Sequence, residues 1–122
     1  MPLESVRLRI ARKDTKLFVV NDHNDWIVGA ALLKTLKEGE EYEIQLLGVS
    51  LNYRDNGAGR TLTQHIMKLT ADEHPQAKIF VSALRTARYF YKRQNFIPVT
   101  EPEIGSPAKL PVTNSTTELL VW

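Results

Sequence analysis

"LLGVSLNYRDNGAGRTLTQHIMK", residues 46–68, decides the fold. An apolar run stops at Val49, two glycines follow at Gly57 and Gly59, and Leu62, Ile66 and Leu69 then fall on one helical stripe. A period of two gives way to one of about 3.6, so a strand hands over to a helix through residues that lack side chains. The first N–H groups of a helix have no internal partners, and that end carries partial positive charge. Glycines at such an end let an anion reach those N–H groups directly. Arg54 and Arg60 flank the turn and add donors suited to phosphate oxygens. The run Arg54, Asp55, Asn56, Gly57, Ala58, Gly59, Arg60, Thr61 therefore reads as a pyrophosphate cradle. A plain turn, whose glycines serve only the backbone, is the competing reading. Two other phosphate motifs are excluded. Leu62 stands where a dinucleotide fingerprint needs its third glycine, and a Walker A Gly-Lys-Ser/Thr is absent.

Upstream of this turn the chain alternates. "VRLRIA" (6–11) and "LFVVND" (17–22) read as strands joined by the polar turn "RKDTK". "NDHND" (21–25) is a cluster of turn formers. "WIVGAALLKTL" (26–36) is apolar on both faces, a buried strand with a helix as the competing reading. "YEIQLLGVS" (42–50) is a strand whose alternation breaks near Leu47 and Gly48, where a bulge is expected. Downstream, Pro75 ends the helix and "KIFVSA" (78–83) is a short strand. Leu84, Ala87, Phe90 and Tyr91 repeat at helical spacing, and "FIPV" (96–99) follows as a strand. A loop rich in proline and glycine, "TEPEIGSPAKLP" (100–111), precedes the closing strand "TTELLVW" (116–122). The order predicts one α/β domain over residues 1–122, a mixed sheet flanked by helices.

Composition narrows the function. Of 122 residues, 43% are hydrophobic, enough for one core. Sixteen Lys and Arg against 14 Asp and Glu leave a net charge of +2, with no basic block of the kind nucleic acid calls for. With no cysteine there is no disulfide, thiolate metal site or cysteine nucleophile, and the three histidines His23, His65 and His74 show no ligand spacing. No metal site is expected. The start "MPLESVRLRI" lacks the pattern of a signal peptide, and no run has membrane-spanning length. The expectation is a cytoplasmic domain with no nucleic-acid or membrane partner.

Two motifs then resemble one family. "NYRDNGAGRTL" after Val49 is similar to the acetyl-CoA-binding motif of the GNAT N-acetyltransferases, with Arg54, Gly57 and Gly59 filling its Gln/Arg-x-x-Gly-x-Gly/Ala pattern. "ARYFYKRQNF" (87–96) resembles that family's later helix and the strand after it. The resemblance covers roughly residues 17–100. It implies a mixed sheet splayed open between the fourth and fifth strands, with the pantetheine arm of the cofactor in the gap. It implies acetyl-CoA as cosubstrate and direct acetyl transfer to an amine. Leu47, Gly48 and Val49 would offer backbone groups to pantetheine, and Arg54 through Thr61 would hold the pyrophosphate. Tyr91 matches the tyrosine that donates to the coenzyme sulfur. "EIQLLGV" (43–49) is similar to a strand of the histone acetyltransferase branch that places a proton-accepting glutamate at Glu43. A solvated carboxylate is the plain alternative for Glu43, and a packing aromatic for Tyr91.

Three positions depart from the family pattern. The helices usual between the first two strands have no room in "RKDTK". Leu84 stands where the family has Asn, and Asn95 where it has Gly. The sequence leaves three readings: an N-acetyltransferase, a noncatalytic acetyl-CoA-binding regulator of a partner protein, and a nucleotide-binding domain without acyl chemistry. The acceptor amine, small molecule or protein, is unspecified. The missing helices also suggest a homodimer that closes the acceptor side, with "TTELLVW" as the free apolar edge between copies.

Overall fold

A computed structural model describes residues 3–51, 57–99 and 117–122. Seven strands and two helices follow in the order β1 (Leu3–Ala11), β2 (Thr15–Asp22), β3 (Ile27–Lys37), β4 (Glu41–Val49), α1 (Ala58–Glu73), β5 (Lys78–Leu84), α2 (Arg88–Lys92), β6 (Ile97–Pro98) and β7 (Thr117–Val121). The strands form one sheet in the spatial order β1-β2-β3-β4-β5-β7-β6. Neighbours are antiparallel except β4 and β5, which run parallel because α1 is the crossover between them. This is the mixed α/β sheet that the pattern predicts. Between β1 and β2 only residues 12–14 intervene, with the Arg12 N–H bonded to the Thr15 carbonyl, so no helix stands there.

The helix α1 lies on one sheet face. Its stripe of Leu62, Ile66 and Met67 is buried against Phe18, Val20, Leu33, Ile44 and Leu120. Each fully buried Leu or Ile contributes roughly 1.5–3 kcal/mol. Thr63 is buried on the same helix, and its hydroxyl donates to the Gly59 carbonyl at 2.8 Å, which removes the cost of burying it. The opposite face carries a smaller apolar cluster of Phe80, Leu119 and Val121 with Leu36 and Val99. Leu46 and Leu84 are exposed, at 58% and 60%.

Three local expectations are corrected. The bulge in β4 is at Gln45, not at Leu47–Gly48: Leu33 opposes Ile44 and Leu32 opposes Leu46, while Gly48 pairs regularly with Ala30. The extra residue flips the strand phase, so Leu47 and Val49 join Tyr42 and Ile44 on the core face, and Leu46 turns to solvent. The second helix is only five residues long, because Leu84 is held in the ladder with β7 opposite Thr117. Finally, β7 is not an edge. It pairs with β5 on one side and β6 on the other, and the Trp122 N–H and C=O both bond to Ile79. The expected pairing of two copies through "TTELLVW" therefore has no free edge on β7, since among the described residues the sheet's edges are β1 and β6. The loop expected over residues 100–111 lies outside the described residues.

The bulge has a measurable consequence. Leu46→Asp should change the unfolding free energy by no more than about 0.5 kcal/mol, whereas Leu47→Asp should cost about 2–3 kcal/mol by placing a carboxylate on the core face. Urea denaturation of the two variants reads the phase directly. Equal losses, or a larger loss for Leu46→Asp, would place the bulge elsewhere.

Candidate functional site

The parallel ladder between β4 and β5 is short. It pairs Glu41 with Lys78, Tyr42 with Ile79, Glu43 with Phe80 and Ile44 with Val81, and then stops. Both strands continue. Residues 45–49 of β4 stay paired to β3, and Ser82–Leu84 of β5 stay paired to β7. Among the described residues no strand fills the edge that β4 and β5 turn toward each other beyond Ile44 and Val81. The sheet is thus open in a wedge, with Leu47, Gly48 and Val49 along one side. Backbone N–H and C=O groups on such an edge are open to a partner that carries amide groups of its own.

At the end of the wedge begins α1. Gly57 is its N-cap, with φ 77°, and the Thr61 N–H makes the first helical bond back to the Gly57 carbonyl at 2.8 Å. Among the described residues no side chain caps this end, and no acidic residue stands in the first turn. The N–H groups of Ala58, Gly59 and Arg60 consequently point out of the helix without helical partners, at the positive end of its dipole. A Cβ on Gly57 would meet nothing within 4 Å, so only its positive φ requires glycine there. Gly59 is different. A Cβ on it would come within 3.3 Å of Phe90 Cζ and 3.5 Å of Val49 Cγ2. Its missing side chain lets α2 close on α1 and β4. The side of Gly57 is thus open, and Gly59 packs against Phe90 and Val49.

Arg60 and Thr61 turn to the other flank of the helix. With Gly57, Gln64, His65, Lys68 and Val6 they line a groove of about 680 Å³ between α1 and β1. Ala58 is fully buried and can offer only its backbone. Arg54, Asp55 and Asn56, the start of the sequence motif, lie outside the described residues.

Tyr91 sits on α2 and is buried, 6% exposed, edge-on to Phe90 at 5.0 Å and to Phe96 at 5.5 Å. Burial pushes its phenol up to about 12, so it is a proton holder throughout the neutral range. The neighbouring Tyr89 points outward, 57% exposed, under the Arg88 guanidinium. Asn95 adopts φ 73°, a left-handed conformation that Asn tolerates better than most residues, and Phe96 after it is buried. Glu43 is half-buried on β4 between Tyr42 and Ile44, so it projects from the face opposite theirs. The Gln45 side chain donates to its Oε1 at 3.3 Å. Tyr42, Ile44 and Tyr91 share one core cluster. Tyr91 and Glu43 thus lie on opposite faces of the sheet.

The histidines are structural or solvated. His65 packs edge-on to Phe18, His74 stacks on Tyr42, and His23 is exposed. Among the described residues no group of acidic and histidine side chains gathers to hold a metal, and no helix is long and apolar enough to cross a membrane.

Known proteins share this fold. The fold is similar to that of GCN5 from Tetrahymena, with a TM-score of 0.75 at 16% identity, over 90% of this chain and 68% of that one. It is similar to a GNAT family acetyltransferase from Elizabethkingia anophelis with acetyl-CoA bound, with a TM-score of 0.67 at 19% identity, over 88% and 75%. The PaiA N-acetyltransferase of Thermoplasma acidophilum in complex with coenzyme A gives a TM-score of 0.68 at 14% identity, over 88% and 60%. This chain therefore spans between three fifths and three quarters of their lengths. A sequence model of the acetyltransferase (GNAT) domain matches residues 1–106, and the chain belongs to that family.

Proposed function

We propose that this protein transfers an acetyl group from acetyl-CoA to an amine by direct attack. The observation that carries the reading is the wedge between β4 and β5, with the N-terminus of α1 at one end. The Elizabethkingia and Thermoplasma neighbours hold acetyl-CoA and coenzyme A, which supports the same ligand here. In this reading the backbone of Leu47, Gly48 and Val49 pairs with the amide-bearing pantetheine arm. The N–H groups at the start of α1, joined by Arg54, Asp55, Asn56 and Arg60 around Gly57, receive the pyrophosphate. Bound acetyl-CoA supplies an acetyl thioester at the open edge of β4.

The protein's own groups then handle protons. An ammonium has no lone pair, so Glu43 accepts a proton from the acceptor amine, directly or through water. The amine nitrogen forms its bond to the acetyl carbon as the carbon–sulfur bond breaks. Tyr91 meets the departing sulfur. Its phenol, at about 12, holds its proton more tightly than an ordinary thiol at about 8.5, so it stabilises the thiolate by donating a hydrogen bond rather than by surrendering the proton. Leu84 in place of the family's Asn favours a second reading, a binding module without turnover, which shares the whole cofactor site. Release of free thiol from acetyl-CoA across a panel of amines separates the two, because a module releases none.

Two variants test the assignment. Tyr91→Phe keeps the ring, so turnover should fall by about 10²-fold with little change in KM for acetyl-CoA. Glu43→Gln should lower kcat by at least about tenfold in the same assay. Wild-type rates in both would leave positioning as the catalytic device and favour the binding module.

The tyrosine also makes a prediction about pH. Its folded value of about 12 lies above the ordinary 10.0, so its share of stability is complete below pH 10 and is lost as pH rises toward 12. Phenolate absorbance should show one tyrosine fewer titrating near pH 12 in Tyr91→Phe than in the wild type. An unchanged titration would show that Tyr91 is not buried as described.

A further inference from the structure

The helix that carries Tyr91 has five residues and no side-chain cap at its start. A helix this short does not hold itself. Two ties hold it. On one side Gln64 of α1 donates to Gln94 Oε1 at 3.0 Å, and Gln94 donates to the Phe90 carbonyl at 3.2 Å. On the other side stands Glu118 of β7. Lys92 Nζ lies 3.0 Å from its Oε1, and Arg85 Nη1 lies 3.6 Å from its Oε2. The Glu118 side chain is only 12% exposed. The Lys92 contact lacks the alignment of a directed hydrogen bond and acts as an ion pair.

The placement of these cations matters. Arg85 opens the turn that leads out of β5, and Lys92 is the last residue of α2, next to Tyr91. One carboxylate therefore grips both ends of the segment that carries the tyrosine. Its own strand is fixed, because β7 is paired on both sides and Glu118 opposes Ala83 in the ladder. The carboxylate is mostly buried while its two cations stay partly exposed, at 32% and 39%, so the pairs contribute little net stability and act chiefly on geometry.

We propose that Glu118 is a positioning residue for acetyl transfer, holding the Arg85–Lys92 segment so that Tyr91 stays at the wedge. The proposal rests on the role given to Tyr91 above and goes beyond it by placing the control of that role on β7.

A double-mutant cycle on the full chain tests it, with hydroxylamine as acceptor. Hydroxylamine is uncharged at neutral pH, so transfer to it isolates the help given to the leaving sulfur from the work of Glu43. Glu118→Gln keeps the side chain's size and should lower kcat about tenfold, with KM for acetyl-CoA within about twofold. In a Tyr91→Phe background the same change should have no further effect, because the group it positions is gone. Lys92→Gln, which cuts the tie from the helix side, should reproduce the loss. Independently of turnover, the Tyr91 ring signals in a tyrosine-labelled NMR spectrum should shift or broaden in Glu118→Gln while those of Tyr42 stay in place. A Tyr91→Phe protein at wild-type rate would sink the catalytic reading itself. A slow Tyr91→Phe protein in which Glu118→Gln still costs its full factor would overturn this inference alone, as would unchanged Tyr91 signals in Glu118→Gln.

Discussion

Everything in this structure turns on a parallel strand pair that is allowed to end early. β4 and β5 share four residue pairs and then part. Ending a ladder inside a sheet normally strands two rows of polar backbone groups. Here each strand keeps a full partner on its far side, β3 for β4 and β7 for β5, so only the facing edges are released. The bulge at Gln45 falls one residue after the last pair, where the added twist of a bulge turns β4 away from its neighbour. The molecule is thereby divided into one half built on β1–β4 with α1 and another built on β5, β7, β6 and α2. Contacts between the helices bridge the division: Phe90 against Gly59, and Gln64 with Gln94.

Much of this was legible in the sequence because it is local. The change of period across Gly57 located the end of β4 and the start of α1 together. The rest depends on distant partners. Leu46 and Leu47 are both apolar, so the pattern blurred the phase change, and only the pairing to Leu32 and Leu33 places the bulge at Gln45. Leu84 continued a helical spacing that its ladder to Thr117 overrides. The last strand looked like an edge because it comes last, whereas spatial order inserts it between β5 and β6. Nothing in the sequence shows that Phe90 packs over Gly59. Glu118 carried no signal at all, since its meaning lies in two cations 33 and 26 residues earlier in the chain.

The face opposite α1 bears the mark of the short link between β1 and β2. It has a small cluster around Phe80 and an exposed Leu46 and Leu84 beside the wedge. Glu43 projects from this face and Tyr91 packs on the other. The sheet thus stands between Glu43 and Tyr91.

The direct measurement is amide hydrogen exchange along β4 with and without acetyl-CoA. The account predicts that added acetyl-CoA slows exchange within Leu47–Val49 and at the first N–H groups of α1, while Tyr42 and Ile44, in the paired half of the strand, change little. Unchanged exchange at Leu47–Val49 under saturating acetyl-CoA, or protection confined to the groove between α1 and β1, would contradict it.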